Sequence, residues 1–146
     1  MHVETKLLHL DDIPISSGLP KSYVNPIKSE LFAGKHEGRL GKLVGMTQFG
    51  VNHVTLDPGA ISSLRHWHEA EDEFVYVLEG KLLLIDENGE HELVQGSFAG
   101  FPAGTANAHH LANASDAKAS FLAVGSRRPD AEMIHYPDDG IGPIRK

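Results

Sequence analysis

From Leu43 onward, apolar and polar positions alternate with the two-residue period of β-strands. Residues 46–56 read as a strand or strand pair that stops at Asp57-Pro58-Gly59, a turn signal. In the next strand Leu64, His66 and His68 share one face, with Arg65 and Trp67 on the other, which places Trp67 outside any pocket between the histidines. Glu73, Val75 and Val77 then alternate with Phe74, Tyr76 and Leu78. Both faces of that strand are apolar, so the Phe74 face requires a cover: a second sheet, the N-terminal arm or another subunit. Residues 81–85 and 91–94 flank Asn88-Gly89, which predicts a hairpin with a type I′ turn and an exposed His91. Turns at Gln95-Gly96 and Pro102-Ala103-Gly104 bracket a strand over 97–101. After them His109, Leu111 and Asn113 share one face and His110 and Ala112 the other, and 119–124 forms a last apolar strand.

The flanks are less regular. Residues 1–33, with Pro14, Pro20 and Pro26, read as an arm holding one or two short strands. Gly34, Gly38, Gly41 and Gly45 alternate with Lys35, Arg39 and Lys42, and they read as turns carrying solvated charges. The alternative, a phosphate loop, is disfavoured because Gly41-Lys42 is followed by Leu43 rather than Ser or Thr. Residues 127–146 read as loop. The expected organisation is therefore an all-β sandwich or barrel over 41–126, an arm over 1–40 and a tail over 127–146.

Composition narrows the class of function. A chain of 146 residues, 40% hydrophobic and 23% charged, suits one soluble domain with a real core. A formal charge of −7 argues against nucleic-acid or anionic-membrane partners, which call for clustered Lys and Arg. With no cysteine there is no disulfide, thiolate nucleophile or Cys-based zinc site. No signal-peptide layout and no long apolar run is present, so a cytoplasmic location is the expectation.

The chemistry concentrates at His66-Trp67-His68. Two imidazoles on one strand face, about 6.6 Å apart along the chain, form a pincer. A hairpin partner can bring the Glu73 carboxylate to the same spot, and that donor set suits a first-row divalent metal. Glu69, Glu71 and Asp72 read as solvated loop residues, and His53 as a packed or exposed strand residue.

These residues also carry a family resemblance. Gly59, His66, His68, Glu73 and Gly80 resemble the first cupin motif, with one extra residue between Gly59 and His66. Gly96, Pro102, Gly104, His109 and Asn113 resemble the second, as if two residues were inserted after Gly104, so that Asn107 stands at the motif's histidine position. The resemblance covers 59–113. It implies a single-domain double-stranded β-helix, a small jelly roll. It also implies that His66, His68, Glu73 and His109 converge on one divalent metal (Zn, Fe, Mn or Ni). Leu111 pointing inward beside His109 favours that ring over His110, which stays the alternative third ligand.

The expected function is a metal-dependent enzyme on a small polar molecule, an oxygenase or a sugar or keto-acid isomerase. For an isomerase, His53 or a non-ligating His110 is the candidate base. The alternative is a non-catalytic ligand-binding or sensor barrel, and a storage protein is a third reading. A homodimer joined through the Phe74 face is expected.

Overall fold

A computed structural model describes residues 4–18, 32–139 and 141–145. Its strands are β1 (Ser16–Ser17), β2 (Lys35–Arg39), β3 (Phe49–Leu56), β4 (Trp67–His68), β5 (Glu73–Glu79) and β6 (Lys81–Asp86). They continue as β7 (Gly89–Val94), β8 (Phe98–Phe101), β9 (His110–Ala112), β10 (Ala119–Ser126), β11 (Met133–Tyr136) and β12 (Ile141–Arg145). Helical structure among the described residues amounts to a 3-10 turn at Leu10–Asp12 and the four-residue α1 (Leu40–Leu43). No helix among them is long and apolar enough to cross a membrane.

Every ladder is antiparallel. One sheet runs β1-β2-β3-β10-β5-β8, a second β7-β6-β9 and a third β12-β11-β4. The core lies between the first two: Val54 and Leu56 from β3, Val75 and Val77 from β5, and Phe121 from β10 meet Leu82 and Leu84 from β6 and Leu111 from β9. This is an all-β jelly-roll sandwich. The period-2 pattern of β5 is what fixes it: Val75 and Val77 go inward, while Phe74, Tyr76 and Leu78 keep partly exposed rings and methyls on the outer face.

Gly80 turns the chain from the first sheet into the second, between β5 and β6. Its φ is +80°, and a Cβ there would stand 2.8 Å from the Lys118 carbonyl oxygen, so conformation and space both require glycine.

Several elements differ from the pattern reading. The hairpin of β6 and β7 forms, but Asp86 pairs with Gly89, so the turn residues are Glu87 and Asn88 rather than Asn88-Gly89. Among the described residues only glycines have positive φ, so Asn88 does not adopt the type I′ conformation; its N–H instead donates to Asp86 Oδ1 at 2.8 Å. The stretch before His68 is mostly bends, with only Trp67–His68 as strand. Lys35–Arg39, read as glycine-punctuated turns, is a strand paired with β3, and residues 40–43 form α1. Residues 127–146 are not all loop. β11 pairs with both β12 and β4, opposing Ile134 to His68 and His135 to Trp67. Trp67 stacks on the His135 ring at 4.1 Å, away from the pocket as the alternation predicts. The arm reading over 19–31, including Pro20 and Pro26, lies outside the described residues.

Candidate metal centre

The two motif blocks meet through backbone pairing. His66 and His109 form an isolated antiparallel bridge, with N–H donating to O at 3.2 and 3.0 Å. This puts His109 beside the pincer, and Glu73 arrives at the start of β5. The Nε2 atoms of His66, His68 and His109 lie 3.4, 3.1 and 3.0 Å from one atom, Glu73 Oε2. Ligand atoms of His66, His68 and Glu73 all fall within 4.8 Å of one another. The rings of His66 and His68 meet edge to face at 4.9 Å, and Phe101 stacks on His109 at 3.5 Å.

Each imidazole is oriented through its other nitrogen. His66 Nδ1 donates to the Leu64 carbonyl at 2.8 Å, His109 Nδ1 to the Asn107 carbonyl at 2.9 Å, and His68 Nδ1 to Glu132 Oε2 at 2.9 Å. A carbonyl oxygen only accepts, so His66 and His109 carry a proton on Nδ1 and turn Nε2 to the centre, and an ionised Glu132 would hold His68 in the same way. Three nitrogen lone pairs and a carboxylate oxygen aimed at one point repel unless protons or a cation lie between them. The donor set therefore fits a borderline divalent ion.

The electrostatics agree. Burial alone would raise the Glu73 carboxyl, but whenever the rings carry protons on Nε2 their hydrogen bonds from His109, His66 and His68 outweigh it and hold the group well below the usual carboxylate range, a place a cation would take over. His68 is pushed down by burial, yet Glu73 and Glu132 on either side bring it above the ordinary imidazole value.

The cluster lies in a cavity of about 860 Å³, a size typical of small-ligand sites. Phe121, Leu111 and Val75 supply part of its apolar wall, and Lys35, Glu37, Asn52 and Arg145 part of its polar lining. His110 also lines it but does not reach Glu73: its Nδ1 donates to the Ser63 carbonyl at 2.8 Å. His53 sits on the other face of β3 from Asn52 and Val54, which do line the cavity. That excludes His53 as a base there.

A model described as "Cupin domain" matches residues 52–125. The chain belongs to the cupin family. The structure of a cupin-superfamily sugar phosphate isomerase from Silicibacter pomeroyi is similar over 95% of this chain and 90% of that one, with 44% identity and a TM-score of 0.85. A provisionally named sugar phosphate isomerase from Acidithiobacillus ferrooxidans is 34% identical over 71% of this cupin and 65% of that chain, with a TM-score of 0.68. The polyketide cyclase RemF from Streptomyces resistomycificus is similar in fold alone, at 21% identity over 86% and 82% of the two chains and a TM-score of 0.65. Among proteins of curated function, none matches the chain.

The cupin's inserted residues have a local explanation. Asn107 occupies the motif's histidine position, yet its side chain turns to the β6–β7 hairpin, accepting from Glu87 N at 3.1 Å and donating to Asp86 Oδ2 at 3.3 Å. Its carbonyl holds His109, two residues later.

Two functional candidates escaped the sequence reading. Glu71, read as a solvated loop residue, is buried and accepts from Arg128 N at 2.6 Å. Glu132 is 0% exposed and hydrogen-bonds Glu71 as well as His68. Burial, and then the neighbouring Glu71, raise the Glu132 carboxyl above the usual range. Nothing local marks Glu132, because its partner His68 is 64 residues away in sequence.

Proposed function

We propose that this cupin is a metal-dependent isomerase of small sugar phosphates. The observation that carries the reading is the convergence of three imidazole Nε2 atoms on Glu73 Oε2 inside a ligand-sized cavity. The 44% identity to a cupin-superfamily sugar phosphate isomerase supports the substrate class. His66, His68, Glu73 and His109 would hold one divalent ion of the Zn, Fe, Mn or Ni group. When bound, the ion would supply Lewis acidity toward a carbonyl oxygen and its neighbouring hydroxyl.

The chain supplies the remaining roles. His110 has its Nδ1 proton committed to Ser63, which leaves Nε2 as an acceptor on a cavity-lining ring. In an aldose-to-ketose conversion it would take the C2 proton and return it to C1. The proton of the C2 hydroxyl would pass to the C1 oxygen, so that the carbonyl moves by one carbon and no atom is gained or lost. Phe121, Leu111 and Val75 keep water from that carbon.

In a chain of net charge −7, Lys35 and Arg145 are the two cationic side chains among the described residues lining the cavity. Lys35 is 16% exposed and lies 3.5 Å from Glu37 Oε2. Both would face a phosphate. Aldose phosphates incubated with metal-loaded protein in D₂O should yield ketose phosphate with deuterium at C1, read by proton NMR. Lys35→Ala and Arg145→Ala should each raise KM by roughly tenfold with kcat nearly unchanged, the signature of lost ground-state and transition-state binding alike. A panel that gives neither conversion nor exchange, while a sugar phosphate still binds, would leave a non-catalytic binding barrel.

We also infer a homodimer. Phe98 is 66% exposed and stacks with Phe74 and Tyr76 at 5.9 and 6.5 Å on the outer face of β5 and β8. An aromatic platform on an edge strand suits self-association. Phe98→Glu should convert the dimer to a monomer in light scattering, and a monomeric wild type would refute the inference.

A further inference from the structure

The three imidazoles are not held alike. His66 and His109 donate to main-chain carbonyls two residues earlier, contacts that come with the local chain. His68 donates instead to a side chain brought from the far end of the molecule. Pairing of β11 with β4, and the Glu69 N–H bond to the Met133 carbonyl at 3.0 Å, set Glu132 behind the His68 ring. Its Oε2 accepts from His68 Nδ1 at 2.9 Å and its Oε1 from the Ala70 N–H at 3.2 Å.

A fully buried carboxyl is a costly way to fill space, and an apolar side chain of similar volume is usually no less stabilising. What the carboxyl does and a leucine cannot is accept two N–H bonds at fixed positions. Each oxygen has such a donor, one anchoring the group to the backbone and one holding the ring, and the buried Glu71 bonds the same carboxyl from the side.

We propose that Glu132 is the positioning residue of the centre: it fixes His68 with its proton on Nδ1, so that the Nε2 lone pair is presented beside Glu73. The C-terminal segment thereby completes a site whose motif residues end at Asn113. The consequence for metal affinity rests on the metal-centre reading above; the consequence for the ring proton does not.

Glu132→Gln is nearly isosteric and separates the two. If the glutamine oxygen accepts from Ala70, its NH₂ faces His68 Nδ1 and drives the ring proton to Nε2, where it blocks the lone pair. If the oxygen accepts from His68, the NH₂ meets the Ala70 N–H, donor against donor. Neither orientation reproduces the wild type.

The experiment records long-range ¹H–¹⁵N spectra of the imidazole rings in metal-free protein at alkaline pH, where the rings are neutral. Zn²⁺ and Mn²⁺ affinities are measured alongside by chelator competition. The wild type should show His68 protonated at Nδ1. Glu132→Gln should move a large fraction of that proton to Nε2 and weaken metal binding by 10- to 100-fold, as loss of a ring-orienting partner does elsewhere. A folded Glu132→Gln protein with the wild-type ring state and metal affinity within about twofold of wild type would overturn the proposal. Should the variant not fold, the wild-type spectrum alone decides, since a His68 proton on Nε2 contradicts it. A wild type that binds neither ion but shows His68 protonated at Nδ1 would end the metal reading and leave the positioning role standing.

Discussion

Protein carrying His109→Ala is expected to lose its metal, and His66→Ala likewise, whereas His110→Gln should keep a full equivalent and lose turnover instead. The separation follows from where the two adjacent rings point. His109 is 4% exposed, stacked on Phe101, and aims Nε2 at Glu73 Oε2 from 3.0 Å. Truncating it removes one of four donors and opens a void beside Phe101. His110 leaves the opposite face of the same short stretch, donates to Ser63 and reaches the cavity without reaching Glu73.

Elemental analysis of protein purified without chelators reads the first half of this expectation, with circular dichroism to exclude unfolding. Isomerase turnover reads the second. Loss of a positioned acid–base group costs about 10²- to 10⁴-fold in rate, so His110→Gln should fall in that range with metal retained. If His110→Gln loses the metal and His109→Ala does not, the ligand assignment is inverted. If both keep a full equivalent, the ion sits elsewhere and the convergence on Glu73 serves another purpose.

The reason these residues could be read from sequence is that their placement is local. Strand alternation puts His66 and His68 on one side, the same rule turns Glu73 with Val75 and Val77, and the inward Leu111 carries His109 with it. Much of the core follows from the same rule, since Val54, Val75, Val77, Leu82 and Leu84 are apolar at alternating positions and are buried. What escaped depends on pairing across long stretches of chain. Glu132 gains its role from β11 docking on β4, and residues 133–136 form too short a run to announce a strand. Lys35 and Glu37 become cavity residues only because β2 pairs with β3. The hairpin turn shifted by one residue because Asp86 captures the Asn88 N–H, a side-chain contact that a dipeptide signal does not encode.

The last motif residue, Asn113, makes the sharpest prediction for stability. It is 1% exposed, and its amide is satisfied on every side. Nδ2 donates to the Leu56 and Ala117 carbonyls, both at 2.8 Å, while Oδ1 accepts from Ser115 N at 3.0 Å and Ser115 Oγ at 2.7 Å. One side chain thus ties the end of β3 to the loop that leads into β10. It does not line the cavity. Asn113→Ala leaves the Leu56 carbonyl without its donor in the interior, worth about 1–3 kcal/mol, and removes the amide's ties to the half-buried Ser115 and to Ala117, whose carbonyl keeps Ser115 Oγ, so a total loss of about 3 kcal/mol is expected. For a chain of this size that is roughly 10 °C in Tm. Asn113→Asp should be at least as damaging, because an oxygen then replaces Nδ2 against two carbonyl oxygens, and the carboxyl must take up a proton to relieve the repulsion. Thermal unfolding of the metal-free variants measures both. The molecules that remain folded should bind metal as the wild type does. A variant of wild-type stability that has lost its metal would place Asn113 in the site's chemistry rather than in the frame that holds it.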